Sequence, residues 1–164
     1  MTPSEALAVA PTHRDVMVAL AQKEDWHRGA ELGVGSGLLF ERLLSECPGL
    51  YLIGVDLFRR TERLQRALSV RRRFVGRCEL HVCPTRDAAL RIQPSSLDFV
   101  FIDAAHSYQA VRGDISAWWP AVRHGGWFGG HDYHKRFPGV IRAVDEAFGS
   151  RVQLEAHAIW WVRR

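Results

Sequence analysis

The sequence predicts an α/β fold: a Rossmann-like three-layer sandwich around a seven-stranded, mainly parallel sheet that closes with a C-terminal antiparallel hairpin. Three features of the chain point that way. Short apolar runs alternate with helical patterns from about residue 29 onward, as in strands joined by crossover helices. The run Leu97 to Ile102 is apolar except for Asp98, which is how a strand covered on both faces reads. Glu31, Asp56, Asp103, His106, His131 and Asp132 collect near the carboxyl ends of the strands, where open α/β sheets hold their ligands.

Taken in order, a first helix spans Ser4 to Lys23 and must break or restart at Pro11, which has no amide donor. Strand one is Gly29 to Val34, followed by a glycine turn and a helix from Leu38 to Glu46 that Pro48-Gly49 closes. Strand two runs Tyr51 to Val55 and ends on Asp56; its helix covers Thr61 to Arg72. Strand three is Glu79 to Val82, with a short helix at Arg86 to Arg91. Strand four, Leu97 to Ile102, ends on Asp103. The helix after it, Tyr108 to Val122, carries Val111, Ile115, Trp118, Trp119 and Val122 at helical spacing as a core stripe. Gly125-Gly126 turns the chain into strand five, Trp127 to Gly130, which ends on His131-Asp132. A helix from Val140 to Phe148 precedes two runs, Val152 to Ala156 and Ile159 to Val162, spaced to pair as a hairpin.

The 164 residues suit a single domain: a helical segment over 1–28 and the sheet-bearing core over 29–164. An apolar content of 47% excludes a disordered chain. No apolar run is long enough to cross a membrane, and the N-terminus lacks a secretory pattern, so a cytoplasmic protein is expected. Cys47, Cys78 and Cys83 are too few and scattered for a disulfide framework or zinc site and read as reduced. The net charge of +4 says little about a nucleic-acid partner. The cluster Arg59, Arg60, Arg63, Arg66, Arg71, Arg72, Arg73 and Arg77 reads as a solvated helix face with a basic turn, or as a surface for an anionic partner.

Chemistry concentrates at the strand ends. The turn Glu31-Leu32-Gly33-Val34-Gly35-Ser36-Gly37 lets the backbone bend tightly and approach a ligand without a Cβ in the way. A dinucleotide fingerprint needs a third glycine where Leu38 stands, so a nicotinamide oxidoreductase fits poorly. The spacing found, G-x-G-x-G behind an acidic residue, resembles motif I of the class I methyltransferases. Asp56, with Leu57 beside it, can accept both ribose hydroxyl protons, which selects an adenosine-type sugar. Together these features favour S-adenosylmethionine. The same resemblance implies that Pro84-Thr85-Arg86-Asp87 borders the adenine; the alternative is a helix cap at Thr85 or Asp87.

The second half sharpens the resemblance. Phe101-Ile102-Asp103-Ala104-Ala105-His106-Ser107-Tyr108, then Asp114 and Trp118-Trp119-Pro120, then Gly130-His131-Asp132-Tyr133, resemble a bacterial methyltransferase-domain family. Its relatives include O-methyltransferases of macrolide-sugar and cephamycin biosynthesis, and the resemblance covers about residues 29 to 148. It implies that Asp103 and Asp132 bind a divalent metal and that His106 is the general base. Where the family has an acidic residue, His131 stands here; it suits zinc, manganese or iron better than magnesium. A metal-free site, with Asp103 and Asp132 only holding hydrogen bonds, is the alternative.

The resemblance implies an S-adenosylmethionine-dependent methyltransferase acting on a hydroxyl of a small or carrier-bound molecule. Glu31, Gly33, Val34, Gly35, Gly37 and Asp56 are expected around one end of the cofactor. Leu57, Arg86, Asp87, Asp103 and Ala104 are expected around the rest, with Asp103 orienting His106 or sharing a metal beside it. The competing reading of His106 is a cap for the helix at Tyr108. The alternative function is an RNA-directed methyltransferase or RNA-binding module using arginines 59–77. His124 and His134 read as solvated. Short loops after strand five imply an open pocket. The tryptophan-rich last strand, read as an exposed edge, suggests a homodimer.

Overall fold

The computed structural model describes residues 12–164. The expected helix before Thr12, with its break at Pro11, lies outside the described residues. Elements are numbered in chain order among the described residues. α1 (His13–Lys23) starts behind Thr12, whose hydroxyl accepts from the Asp15 amide, and it buries Val16, Met17 and Leu20. There follow β1 (Arg28–Leu32), α2 (Leu38–Glu46), β2 (Tyr51–Asp56), α3 (Thr61–Arg73), β3 (Cys78–Val82) and α4 (Thr85–Ala89). The second half holds β4 (Leu97–Ile102), α5 (Tyr108–Trp118), β5 (Val122–Gly130), α6 (Pro138–Phe148), β6 (Gln153–Glu155) and β7 (Ile159–Arg163).

The seven strands form one sheet in the order β3-β2-β1-β4-β5-β7-β6. β1 to β5 pair in parallel, and β7 runs antiparallel to both β5 and β6, as the sequence predicts. Side chains alternate across the sheet, so β4 sends Phe99 and Phe101 into one core layer and Val100 and Ile102 into the other. The first layer packs under α1, α2 and α3; the second packs under α5 and α6. Strand order reverses between β1 and β4. The loops leaving these strands therefore part in opposite directions and open a crevice.

Several boundaries differ from expectation. β1 stops at Leu32, because Gly33 turns with φ 95°. A Cβ at Gly33 would lie 2.1 Å from the Asp103 carbonyl oxygen, so only glycine lets the β1 and β4 loops come this close. α5 ends at Trp118 instead of Val122, and Pro120 sits in a 3-10 turn over Trp119–Ala121, since it cannot donate the next helical bond. β5 starts at Val122, not Trp127. Leu97 pairs with Val122 and Phe99 with Trp127, so Gly125-Gly126 belongs to a bulge within the strand. β7 is not an edge: it lies between β5 and β6, Trp160 is buried, and the sheet ends on the three residues of β6. The premise for pairing through the tryptophan strand is therefore corrected. The cysteines are free thiols, as expected. No helix among the described residues is long and apolar enough to cross a membrane.

Candidate active site

The crevice at the reversal point is a cleft of about 550 Å³. Its walls are the Gly33–Gly35 turn, the β2 end from Val55 to Arg60, the Cys83–Arg86 segment and Asp103–Ala105. A second cavity of about 250 Å³ adjoins it, sharing Gly33, Gly35, Arg63 and Asp103, and reaches Glu31 and His13.

Asp56 ties the floor together. Its Oδ2 accepts from the Gly35 amide at 2.8 Å, and its Oδ1 accepts from the Phe58 amide at 2.6 Å. Phe58 holds φ at 45°, a left-handed conformation uncommon for a bulky residue. Asp56 is thus an organiser of the glycine turn as well as an acceptor facing the cleft. Each carboxylate oxygen keeps a further lone pair for a ligand.

Glu31 is almost fully buried, and its Oε2 has no hydrogen-bond partner. Burial, with the negative charges of Asp103 and Asp56, pushes its carboxyl well above the usual range. A buried acceptor without a donor suits a cationic or N–H-bearing ligand group.

At the ends of β4 and β5, imidazoles and carboxylates alternate. His106 Nε2 lies 2.6 Å from Asp132 Oδ2. His131 Nδ1 lies 3.2 Å from Asp132 Oδ1 and 3.7 Å from Asp103 Oδ1. His13 Nε2 lies 4.0 Å from Asp103 Oδ2, and its ring approaches that of His131 at 4.3 Å. Asp132 takes φ 62°, which aspartate tolerates better than most residues and which turns its carboxylate toward both histidines. Burial opposes a charge on His131, but Asp103 and Asp132 outweigh it and hold its pKa above the ordinary value. Burial and His131 together lower that of His13.

Two expectations about His106 are corrected here. Asp103 does not orient it; Asp132 does. His106 does not cap α5 either. That role falls to Ser107, whose hydroxyl accepts from the Ala110 amide at 3.3 Å. His106 instead stacks on Phe137, with ring centroids 4.4 Å apart. One atom each of Asp103, His131 and Asp132 can lie within 4.8 Å of one another, a spacing compatible with one metal ion. The alternation of His and Asp is legible in the sequence, but His13 is not. It sits on the first helix, far along the chain, and only packing brings it to Asp103.

The other expected residues divide. Gly33, Gly35, Leu57, Arg86 and Ala104 line the large cleft, and Val34 lines the smaller cavity. Gly37 and Asp87 line neither. Gly37 is the buried N-cap of α2. Asp87 is exposed on α4, two residues past Thr85, and a helix rotates about 200° over that step. In its place Asp114, buried on α5, faces the cleft. The arginine cluster is not one surface. Arg59, Arg60 and Arg63 line the cleft, Arg73 pairs with Glu41, and Arg77 donates to the Leu44, Cys47 and Pro48 carbonyls at the end of α2. His124 and His134 are exposed, as expected.

A Rossmann-like sheet with a glycine turn, an acidic β2 end and a polar cluster after β4 and β5 defines a methyltransferase. The chain belongs to the methyltransferase-domain family, whose model matches residues 30–133. No curated protein is significantly similar. Among solved structures, an O-methyltransferase from Bacillus cereus in complex with S-adenosylhomocysteine is 19% identical, with a TM-score of 0.74, over 99% of this chain and 90% of that one. The O-methyltransferase TomG from Streptomyces achromogenes, involved in tomaymycin synthesis and in complex with S-adenosylmethionine, is 16% identical, TM-score 0.73, over 99% and 89%. CalS11, a TDP-rhamnose 3'-O-methyltransferase of calicheamicin biosynthesis, is 13% identical, TM-score 0.74, over 90% and 77%.

Proposed function

We propose that the protein transfers a methyl group from S-adenosylmethionine to a hydroxyl oxygen of its acceptor, with His106 as the base. The observation that carries this reading is the His106–Asp132 pair at 2.6 Å, at the end of the strand whose Asp103 borders the cleft. The residues fit the cofactor. Unpartnered Glu31 suits the ammonium of its amino-acid end, and Asp56 suits the ribose hydroxyls. When bound, the cofactor supplies a methyl group on a sulfonium; the acceptor oxygen forms a C–O bond as the S–C bond breaks.

The chain's own part is alignment and deprotonation. Asp132, an acceptor only, keeps the His106 proton on Nε2 and leaves Nδ1 basic. The hydroxyl proton goes to that nitrogen. Phe137 fixes the ring plane. Asp103, His131 and Asp132 would hold a divalent ion, and one imidazole with two carboxylates favours zinc, manganese or iron over magnesium. Such an ion would lower the pKa of a bound hydroxyl. The ion would compete with protonation of His131, which Asp103 and Asp132 favour.

The open cleft supports a large or carrier-bound acceptor, or closure by a second copy of the chain. Calorimetry with S-adenosylhomocysteine, then an acceptor screen with and without divalent metals, tests the reading. Micromolar binding and methyl ethers as products are expected. A folded protein that binds no cofactor sinks it.

A further inference from the structure

Asp114 is a buried carboxylate that the proposed chemistry leaves without a task. It lies on α5, is only 3% exposed, and faces the large cleft beside Cys83, Thr85, Arg86 and Ala110. Its Oδ1 accepts from the Thr85 hydroxyl. Its Oδ2 has no hydrogen-bond partner among the described residues, and Arg86, though near enough to be felt electrostatically, forms no ion pair with it. Burial pushes the carboxyl above its usual range, against the pull of Thr85 and Arg86. A donor arriving from the cleft would relieve that cost.

The position of this wall narrows the donor. Asp56 ends β2 on the floor, and the β3–α4 segment Cys83–Arg86 lies on the far side of it from Asp103, since β3 and β4 flank the β2–β1 pair. A ligand with its sugar at Asp56 and its reactive end at Asp103 therefore projects its base toward Asp114. Thr85 already donates to Oδ1, and an ionised carboxylate only accepts, so the free Oδ2 is matched by a donor on the ligand. On an adenine edge the matching group is the 6-amino group.

We propose that Asp114 accepts a hydrogen bond from the 6-amino group of the cofactor's adenine through Oδ2 and so sets the preference for an adenosyl cofactor. This rests on the adenosyl cofactor occupying the cleft. The same carboxylate also joins α4 to α5, because Thr85 in turn accepts at its carbonyl from Trp118 Nε1 at 3.0 Å. A merely structural tie would lower stability without changing which base is bound.

The test is calorimetry on the full chain with two ligands. One is S-adenosylhomocysteine; the other is its purine-riboside analogue, with hydrogen in place of the 6-amino group. The wild type should prefer the amino ligand by roughly 10- to 100-fold, the scale of one hydrogen bond to a charged group. Asp114→Ala should bring the two affinities within about threefold of each other, the range of a neutral contact. Thr85→Val, which removes the tie but keeps the carboxylate, should lower stability and retain most of the preference. Equal wild-type affinities, or an unchanged preference in Asp114→Ala, overturn the proposal. If Asp114→Ala does not fold by circular dichroism, Asp114→Asn replaces it. Its neutral acceptor should cut the preference by at least about threefold, and an unchanged preference overturns the proposal equally. Failure of the wild type to bind either ligand would instead remove the cofactor reading on which the proposal stands.

Discussion

His106 Nε2 meets Asp132 Oδ2 at 2.6 Å, across the gap between the β4 and β5 loops. The two residues belong to different strand ends, so the pair exists only when β4 and β5 are in register. Ile102 beside Gly130 sets that register. Loss of the base should therefore separate from loss of structure. His106→Ala should lower turnover by roughly 10²–10⁴-fold with S-adenosylhomocysteine affinity nearly unchanged. Ser107→Ala, removing the α5 cap, should cost about 1 kcal/mol of stability and leave turnover largely intact. Steady-state kinetics and urea unfolding of both variants decide it; near-normal turnover in a stable His106→Ala protein would end the base assignment.

The loop carrying His106 is held from behind by α6. A Cβ on Gly139 would lie 2.7 Å from both the His106 carbonyl oxygen and the Tyr108 amide nitrogen. Gly139→Ala should push that loop, reducing turnover by about tenfold or more for a misplacement near 1 Å. Cofactor affinity should hold, since Gly139 lines neither cavity. Parallel kinetics and calorimetry would show whether the two readouts part.

Asp56→Ala removes the tie to the Gly35 and Phe58 amides together with the proposed ribose acceptor. Binding of S-adenosylhomocysteine should weaken by roughly 1.5–3 kcal/mol, and stability should fall as well, because two buried or half-buried amides lose a charged partner. Unchanged affinity in the folded variant would remove Asp56 from the ribose site.

Glu31 carries a raised pKa in the folded protein without ligand. The folded state then holds a proton that the unfolded chain releases near pH 4.3, roughly the free glutamate value. This contribution is fully present below that pH and is lost as pH rises toward the folded value. Glu31→Gln removes the loss, so the variant should melt higher than the wild type at pH 8 while binding S-adenosylhomocysteine at least about tenfold more weakly, the lower end for a bond to a charged group. Calorimetric melting across pH 4 to 8 checks the sign; a variant less stable than the wild type at pH 8 contradicts it.

Asp98 has the opposite sign. Burial would raise its pKa, but Arg123 and the His27 and Arg28 amides outweigh it and hold the carboxyl below the usual range. Its Oδ2 accepts from those amides at 2.7 and 2.9 Å, and its Oδ1 accepts from Arg123 Nε at 2.6 Å. The stabilisation is present above the unfolded value, about 3.9, and is lost as pH falls through the folded one. Asp98→Ala should cost roughly 1.5–3 kcal/mol at neutral pH, with the gap to wild type closing in acid. Urea midpoints at pH 7 and pH 3 would expose a gap that fails to close.

Local patterns in the chain determined the architecture. The period of the apolar residues and the glycine turn specify strands, helices and their order, because burial on one face or two is written in the spacing of side chains. The acidic strand ends and the His-Asp doublet are also local, so the address of the site is legible. The partners within it are not. That Asp132 rather than Asp103 holds His106, that His13 reaches Asp103, and that Asp114 rather than Asp87 faces the cleft depend on strand register, a left-handed residue at 132 and the angular position of each side chain on its helix. The same holds for β7, whose tryptophans read as an edge until β6 pairs outside them. Contacts between residues far apart in sequence follow from how elements pack, and packing is decided by the whole core at once.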